Sequence, residues 1–365
     1  MARTSTALAA AGYDVLLVGR TLPNSRPLAA DLPYAQHRLE CYFDRGKLFY
    51  LEFTLRLAWF LLRQRPPAVY GAVDLDTVLP VWLAACLKRR PWVYDAHELF
   101  TEVPEVVARP AIQRLWRRIE AFAVPRATRA YTVGPALADV FRRRYGRPFG
   151  VVRNVPNQQT ARPAAPGSVL PTPPLPAAPP VILYQGALNV GRGLEELLDA
   201  MPLLSVAARL VICGEGDLSK ALRARVAADP ALAACVEFRG YVVPTELRAL
   251  TRHARVGVML LENTGLSYYY SLANKFFDYV HAGVPQVCID FPEYRALNHE
   301  YEVALLVPDL APAGLAAALS RVLADEAYHA QLAATCARAA CAWNWERESA
   351  VVAQVFGEAV KEGRT

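Results

Sequence analysis

The chain has 365 residues, 54% of them hydrophobic and 20% charged. That length suits two domains of roughly 100–200 residues each, and the apolar content excludes a disordered chain. No run of about 18 apolar residues lacks a charge, which argues against a membrane-spanning helix.

Residues 1–12 lack the basic-then-apolar pattern of a signal peptide. Seven cysteines are scattered without a Cys-x-x-Cys pair. Together these point to free thiols in a reducing cytoplasm.

In chain order, residues 1–11 have helical composition and stop at Gly12. A short apolar strand follows at 13–18, then a long helix at 49–63 with apolar side chains at helical spacing. Residues 68–73, 92–94 and 129–133 read as strands, 77–87 as a helix, and 151–153 closes the first half. Residues 156–180 hold nine prolines and predict a linker. Beyond it, strands are expected at 181–184, 209–213, 236–238, 256–261 and 286–289, with helices at 194–201, 271–282 and 312–324. Alternation of strand and helix in both halves predicts two doubly wound α/β domains, over 1–155 and 181–342. Ligands on such sheets bind at the carboxyl ends of the strands, so a cleft between two facing sheets is expected. Residues 343–365 are expected to form a C-terminal helix packing back on the first domain. The chain opens inside what reads as a helix, so a first strand is expected to be missing from the N-terminal domain, through an upstream start or a true absence.

Charge is uneven. Residues 1–155 carry 23 Lys+Arg against 13 Asp+Glu, for +10, while the whole chain is +6. Anionic lipid, nucleic acid, an anionic acceptor or a merely solvated basic surface would each fit. Basic clusters stand at Lys88-Arg89-Arg90, at Arg114, Arg117 and Arg118, and at Arg142-Arg143-Arg144. The second recurs at helical spacing beside Leu115, Trp116, Ile119 and Phe122, giving an amphipathic helix. Ordinary packing of its apolar side on a core is the favoured reading over a membrane-surface element.

The strongest chemical signal is the run from Ser271 through Asn274 and Lys275 to Asp278. Ser271 is expected to cap the helix, whose free N–H groups and dipole attract phosphate. A cation in the first turn opposes that dipole, so Lys275 makes sense if an anion docks there. Asp278 shares a face with Lys275 and Asn274, one turn below, where a carboxylate can accept ribose hydroxyls. The alternative is a Lys–Asp surface pair. Gly186 and the run Gly191-Arg192-Gly193 follow a strand, where small residues let backbone approach a phosphate and Arg192 can grip it. Gly214-Glu215-Gly216 is a second strand-end turn. In the first half, His97 ends a strand between Asp95 and Glu98, a better setting than those of the other five histidines. Asp74-Leu75-Asp76 matches an Asp-x-Asp metal motif, but Asp76 capping a helix from Thr77 is the favoured reading. The absence of Gly-x-Gly-x-x-Gly after the first strand counts against a nicotinamide dehydrogenase, and there is no Gly-x-Ser-x-Gly elbow or P-loop.

With Phe238-Arg239-Gly240-Tyr241 and Trp343-Asn344-Trp345-Glu346, this order of motifs resembles the retaining glycosyltransferases of family 4, of GT-B fold. The resemblance implies an N-terminal acceptor-side domain and a C-terminal donor domain. It also implies transfer of a sugar, with retained configuration, from a nucleotide diphosphate donor to a cell-surface polysaccharide or glycolipid. By it, Arg192 and Lys275 neutralise the diphosphate without a metal or other cofactor, aided by N–H groups near Ser271 to Asn274. Asp278 binds ribose, the stretch Gly240 to Val242 with Tyr241 lines the base, Gly186, Gly193 and Glu215 belong to the donor site, and His97 touches the donor sugar or leaving group. Two departures stand out: Tyr270 occupies the position of the family's first acidic residue, and Gly186-Ala187 replaces a frequent Gly-Arg. A non-catalytic nucleotide-sugar-binding subunit and a nucleotide-sugar epimerase are the alternatives. No nucleic-acid partner is expected, and peripheral contact with an anionic inner-membrane face accompanies the transferase reading.

Overall fold

Every strand pairing found is parallel, as expected where helices return the chain between strands. The computed structural model describes residues 1–22, 25, 27–158 and 179–363, so most of the expected linker lies outside the described residues. The chain divides into two compact units, Met1–Arg153 with Glu346–Thr365, and Asn154–Trp345.

The first unit runs α1 (Ala2–Ala10), β1 (Leu16–Arg20), β2 (Ala35–Leu39), α2 (Gly46–Arg63), β3 (Tyr70–Val73), α3 (Val78–Lys88), β4 (Trp92–Ala96), α4 (Pro104–Val107), α5 (Pro110–Ala123), β5 (Arg129–Thr132), α6 (Pro135–Tyr145) and β6 (Gly150–Val151). Its strands fall into two sheets, the pair β1–β2 and the ordered set β3–β4–β5–β6. All five residues of β4 are buried, which matches an inner parallel strand covered on both faces. Prolines open α4, α5 and α6, where a missing N–H costs nothing. The strand expected at 13–18 lies instead at Leu16–Arg20, and β2 was not foreseen, because its three consecutive polar residues Gln36, His37 and Arg38 hide it.

The second unit runs β7 (Val181–Gln185), α7 (Leu194–Ala200), β8 (Arg209–Cys213), α8 (Ser219–Ala228), α9 (Pro230–Cys235), β9 (Val236–Gly240), α10 (Pro244–His253), β10 (Val256–Met259), α11 (Leu266–Tyr269), α12 (Asn274–Ala282), β11 (Gln286–Ile289), α13 (Pro292–Glu300), β12 (Ala304–Val307), α14 (Pro312–Ala324) and α15 (Glu326–Ala342). Its sheet has the order β12-β11-β10-β7-β8-β9. From β7 the chain builds outward through β8 and β9, then returns to the other side of β7 with β10. The reversal puts a switch point between β7 and β10, and the crevice beyond their carboxyl ends is the ligand position of such sheets. Buried Ile182, Leu183 and Tyr184 make β7 the centre of the core, and the Tyr279 hydroxyl on α12 donates to the Leu183 carbonyl at 2.8 Å. Trp343, only 1% exposed, packs among Phe276, Phe277 and Tyr301 and so fixes α12 from behind.

The last helix, α16 (Trp345–Glu362), belongs mostly to the first unit. There the Arg153 N–H donates to Glu348 at 2.9 Å, Arg129 reaches Glu358 at 3.5 Å, and the Phe356 ring lies against Gly71.

Candidate active site

The loops after β7 and β8 each need a glycine. Gly193 sits at φ 65°, and a Cβ there would come within 2.8 Å of Leu260 at the end of β10. Gly214, at φ 143°, lies so close to the Gly186 carbonyl that no side chain fits. The Gly186 N–H donates to Cys213 at 2.9 Å and the Gly214 N–H to Gly240 at 2.7 Å, so the turns after β7, β8 and β9 are stitched edge to edge. Glu262, not assigned a role from sequence, holds this loop: the N–H groups of Gly193 and Gly191 donate to its carboxylate, while burial and nearby Glu196 raise its pKa. Nothing near Glu262 in the sequence signals that contact, because its partners lie far back along the chain.

Two cations share this edge. Lys275 is 9% exposed, with its ammonium 4.0 Å from the centre of the Tyr184 ring. Burial, reinforced by the charge of Arg192 and opposed only weakly by Cys288, pushes its pKa down to about 7. Arg192 lies over the Tyr268 ring at 4.9 Å, and its buried Nε has no hydrogen-bond partner. Two basic side chains this close, one of them buried, form a setting whose charge complements an anion. The structure thus brings Arg192 and Lys275 together beside Gly186, whose missing Cβ would stand 3.8 Å from the lysine nitrogen. Asp278 lies on the same helix as Lys275, and one of its oxygens receives the Gln185 amide at 3.3 Å. Gln185 in turn accepts from Thr251 at 2.8 Å, so β7 and α10 position the aspartate.

Ser271 is not the cap expected of it. The tyrosine run forms its own helix, α11, and the Ser271 hydroxyl donates back to Tyr268 at 2.8 Å. Helix α12 therefore starts at Asn274, with Ala273 in the cap position and no side-chain cap, and the Ala273 N–H donates to the Tyr294 hydroxyl at 3.1 Å. The N–H groups that open α12 are left without a capping side chain beside Lys275, which suits an anion better than a capped end would. Asn274 is exposed. The Glu215 carboxylate is held by Ser219 and by Arg223 at 2.8 Å, which together lower its pKa. Tyr241 stands exposed at the end of β9, next to that turn. Tyr270 packs on the Tyr269 ring at 5.0 Å.

In the first unit, His97 follows β4. Its Nε2 faces Asp95 at 3.2 Å, and its backbone N–H donates to Asp74 at 2.9 Å. Burial opposes protonation of the ring, but the hydrogen bond and charge of Asp95, with the charge of Asp74, outweigh it and raise the pKa. Tyr131 donates to the same Asp95 oxygen at 2.8 Å. Asp74 adopts φ 53°, a strained conformation for a residue with a side chain. Asp76 is not the cap of α3. It lies inside the short turn Leu75–Thr77, Thr77 takes the cap position, and burial followed by the charge of Asp74 lifts Asp76 to about 6. Among the described residues no group of three or more His, Cys, Asp or Glu side chains is arranged to hold a metal. None of their helices is long and apolar enough to cross a membrane.

Residues 1–158 match the glycosyl transferase 4-like domain, and residues 179–325 match the glycosyl transferases group 1 domain. No protein of curated function matches the sequence. Among solved structures, the chain is similar to sucrose-phosphate synthase from Thermosynechococcus elongatus, with 20% identity over 97% of this chain and 91% of that one and a TM-score of 0.76. It is also similar to HepE of Anabaena in complex with UDP and glucose, at 16% identity, 98% and 95% coverage and a TM-score of 0.74. A glycosyltransferase from Rickettsia africae aligns at 10% identity over 98% and 93%, with a TM-score of 0.72. Both matched domains lie in the order the fold requires, and the chain belongs to the group 1 glycosyltransferases of family 4, with the GT-B fold.

Proposed function

We propose that the protein transfers a sugar, with retention of anomeric configuration, from a nucleotide diphosphate donor to a polysaccharide or lipid-linked acceptor of the cell surface. The observation that carries this reading is the pair Arg192 and Lys275, two basic side chains brought together at the switch point, with the arginine Nε buried and without a hydrogen-bond partner. The departing nucleotide diphosphate gains charge as the glycosidic bond breaks. Fixed cations and the open N–H groups of α12 stabilise that charge without reorganising. Asp278, positioned by Gln185, takes the ribose hydroxyls, and the turn bearing Gly240 and Tyr241 takes the base. His97, fixed by Asp95 and Asp74, is assigned to the donor sugar. Because Arg192 and Lys275 fill the charge-neutralising role, transfer is expected to persist in the presence of a chelator. A UDP-sugar is a reasonable first donor, since the HepE structure named above holds UDP and glucose. Free thiols at all seven cysteines accord with a cytoplasmic enzyme acting at the inner membrane face.

Incubating the chain with a panel of nucleotide sugars and following the sugar's anomeric proton by NMR tests the reading. Release or transfer of sugar with retained configuration, lost in Lys275→Ala and Arg192→Ala, is the expected result. An inverted product contradicts the retaining mechanism, and an isomerised donor formed without acceptor contradicts the transferase role.

A further inference from the structure

Helix α2 is apolar on two sides, and only one of them is covered. Phe49, Phe53 and Leu57 point into the unit with Leu39. On the opposite side Leu48, Leu51, Leu55 and Trp59 are 56%, 58%, 61% and 59% exposed. Their spacing of three, four and four residues aligns them as one stripe along the helix. Tyr42, 87% exposed, stands alongside, because Glu52 accepts its N–H at 3.0 Å and that of Phe43 at 3.1 Å. Scattered exposed leucines need no explanation, but a continuous stripe of this size on one helix does.

The charge around the stripe says what covers it. Arg45, Lys47, Arg63 and Arg65 are exposed at the two ends of the helix, and Arg56 reaches Glu52 at 2.7 Å. Arg63 stacks on Trp59 at 4.1 Å, an aromatic–cation pair suited to a headgroup layer. The unit that carries α2, residues 1–153 and 346–365, has 26 Lys+Arg against 17 Asp+Glu. A second copy seated on the stripe would bring two such basic surfaces together, whereas an anionic lipid surface complements them.

We propose that α2 lies flat on an anionic lipid bilayer, with Leu48, Leu51, Leu55 and Trp59 entering the acyl boundary and the flanking cations meeting lipid phosphates. This names a different docking element from α5. There Arg117 is tied to Glu102 at 3.0 Å, leaving less free charge on the helix. The proposal deepens the lipid-linked-acceptor reading above and takes its purpose from it. It would place the basic unit at the surface where such an acceptor resides.

Cosedimentation of the full chain with phosphatidylcholine vesicles, with and without phosphatidylglycerol, tests it. The wild-type chain is expected to bind the anionic vesicles and to release them at high salt. Leu51→Glu with Leu55→Glu is expected to lower that binding by about tenfold or more. Arg114→Ala with Arg118→Ala on α5 should leave most of it. Nucleotide-induced thermal shift, measured on the same variants, keeps the two readings apart. Vesicle binding without any nucleotide shift would remove the donor site and spare the docking helix. If the glutamate pair unfolds the chain, Leu51→Ser with Leu55→Ser replaces it. No wild-type binding to anionic vesicles, or undiminished binding by the variants, overturns the proposal. A wild-type dimer that the same substitutions dissociate overturns it as well.

Discussion

Lys275 is poised between two protonation states because burial strips its ammonium of water and the charge of Arg192 adds to that cost. With its pKa near 7, the unliganded protein gains stability from this lysine as pH rises from about 7 toward the ordinary lysine range, since the unfolded chain then holds a proton that the folded chain does not. In the proposed reading, a bound diphosphate is expected to reverse the preference and draw a proton onto the amine. Lys275→Ala is expected to cut the rate of donor cleavage by about 10²–10³, as removal of one fixed stabilising donor does elsewhere, measured under saturating donor. Glu262→Gln is expected to loosen the 191–193 loop and raise the donor KM more than it lowers kcat. Equal effects on both would remove its assignment as a positioning residue. Arg192 is legible in the sequence through its glycine-flanked turn after a strand, and Lys275 as a cation in the first turn of a helix. Ser271 misled because serine before an apolar run ordinarily caps, and here Leu266–Tyr269 form α11 first and the Ser271 hydroxyl turns back to Tyr268. Glu262 was illegible because its work is done on backbone donors that only the fold brings near.

Helix α12 owes its placement to the residues behind it. Trp343 packs on Phe276 and Phe277, and the Trp343 carbonyl meets His281 Nε2 at 2.6 Å. Trp343→Ala is expected to destabilise the protein by about 3–5 kcal/mol, read as a shift in the urea midpoint. Gly193→Ala is a backbone test: strain at φ 65° and the approach to Leu260 should displace the loop and weaken nucleotide binding, with little change in helix content. Elements with a strong pattern, such as β7, β8, β11 and α14, stand where their apolar runs placed them. The edges and shorter pieces did not announce themselves. Strand β2 mixes polar and apolar residues on a half-exposed edge, and β12 is a four-residue run that a helix pattern equally admits.

At the scale of the molecule, two parallel α/β units carry opposite charge excess and different chemistry. The second holds the paired cations, while the first holds His97 within its Asp95–Asp74 setting and the exposed stripe of α2. His97→Ala is therefore expected to keep the nucleotide-induced thermal shift and to lose sugar transfer. Loss of both would place the histidine in nucleotide binding instead. Two-unit architecture was readable from the alternation of strands and helices about a proline-rich stretch. Which side chains converge was suggested only at strand-end turns and at the opening of a helix, as with Arg192 and Lys275.

Calorimetric titration of the chain with a nucleotide diphosphate, at about pH 6.5 and about pH 8.5 and in buffers of different ionisation heat, bears most directly on the cation pair. Tighter binding at the lower pH with net proton uptake, both abolished in Lys275→Met, is the result expected. Equal affinity at the two pH values, or a Lys275→Met chain that binds as the wild type does, would contradict a diphosphate seated on Lys275.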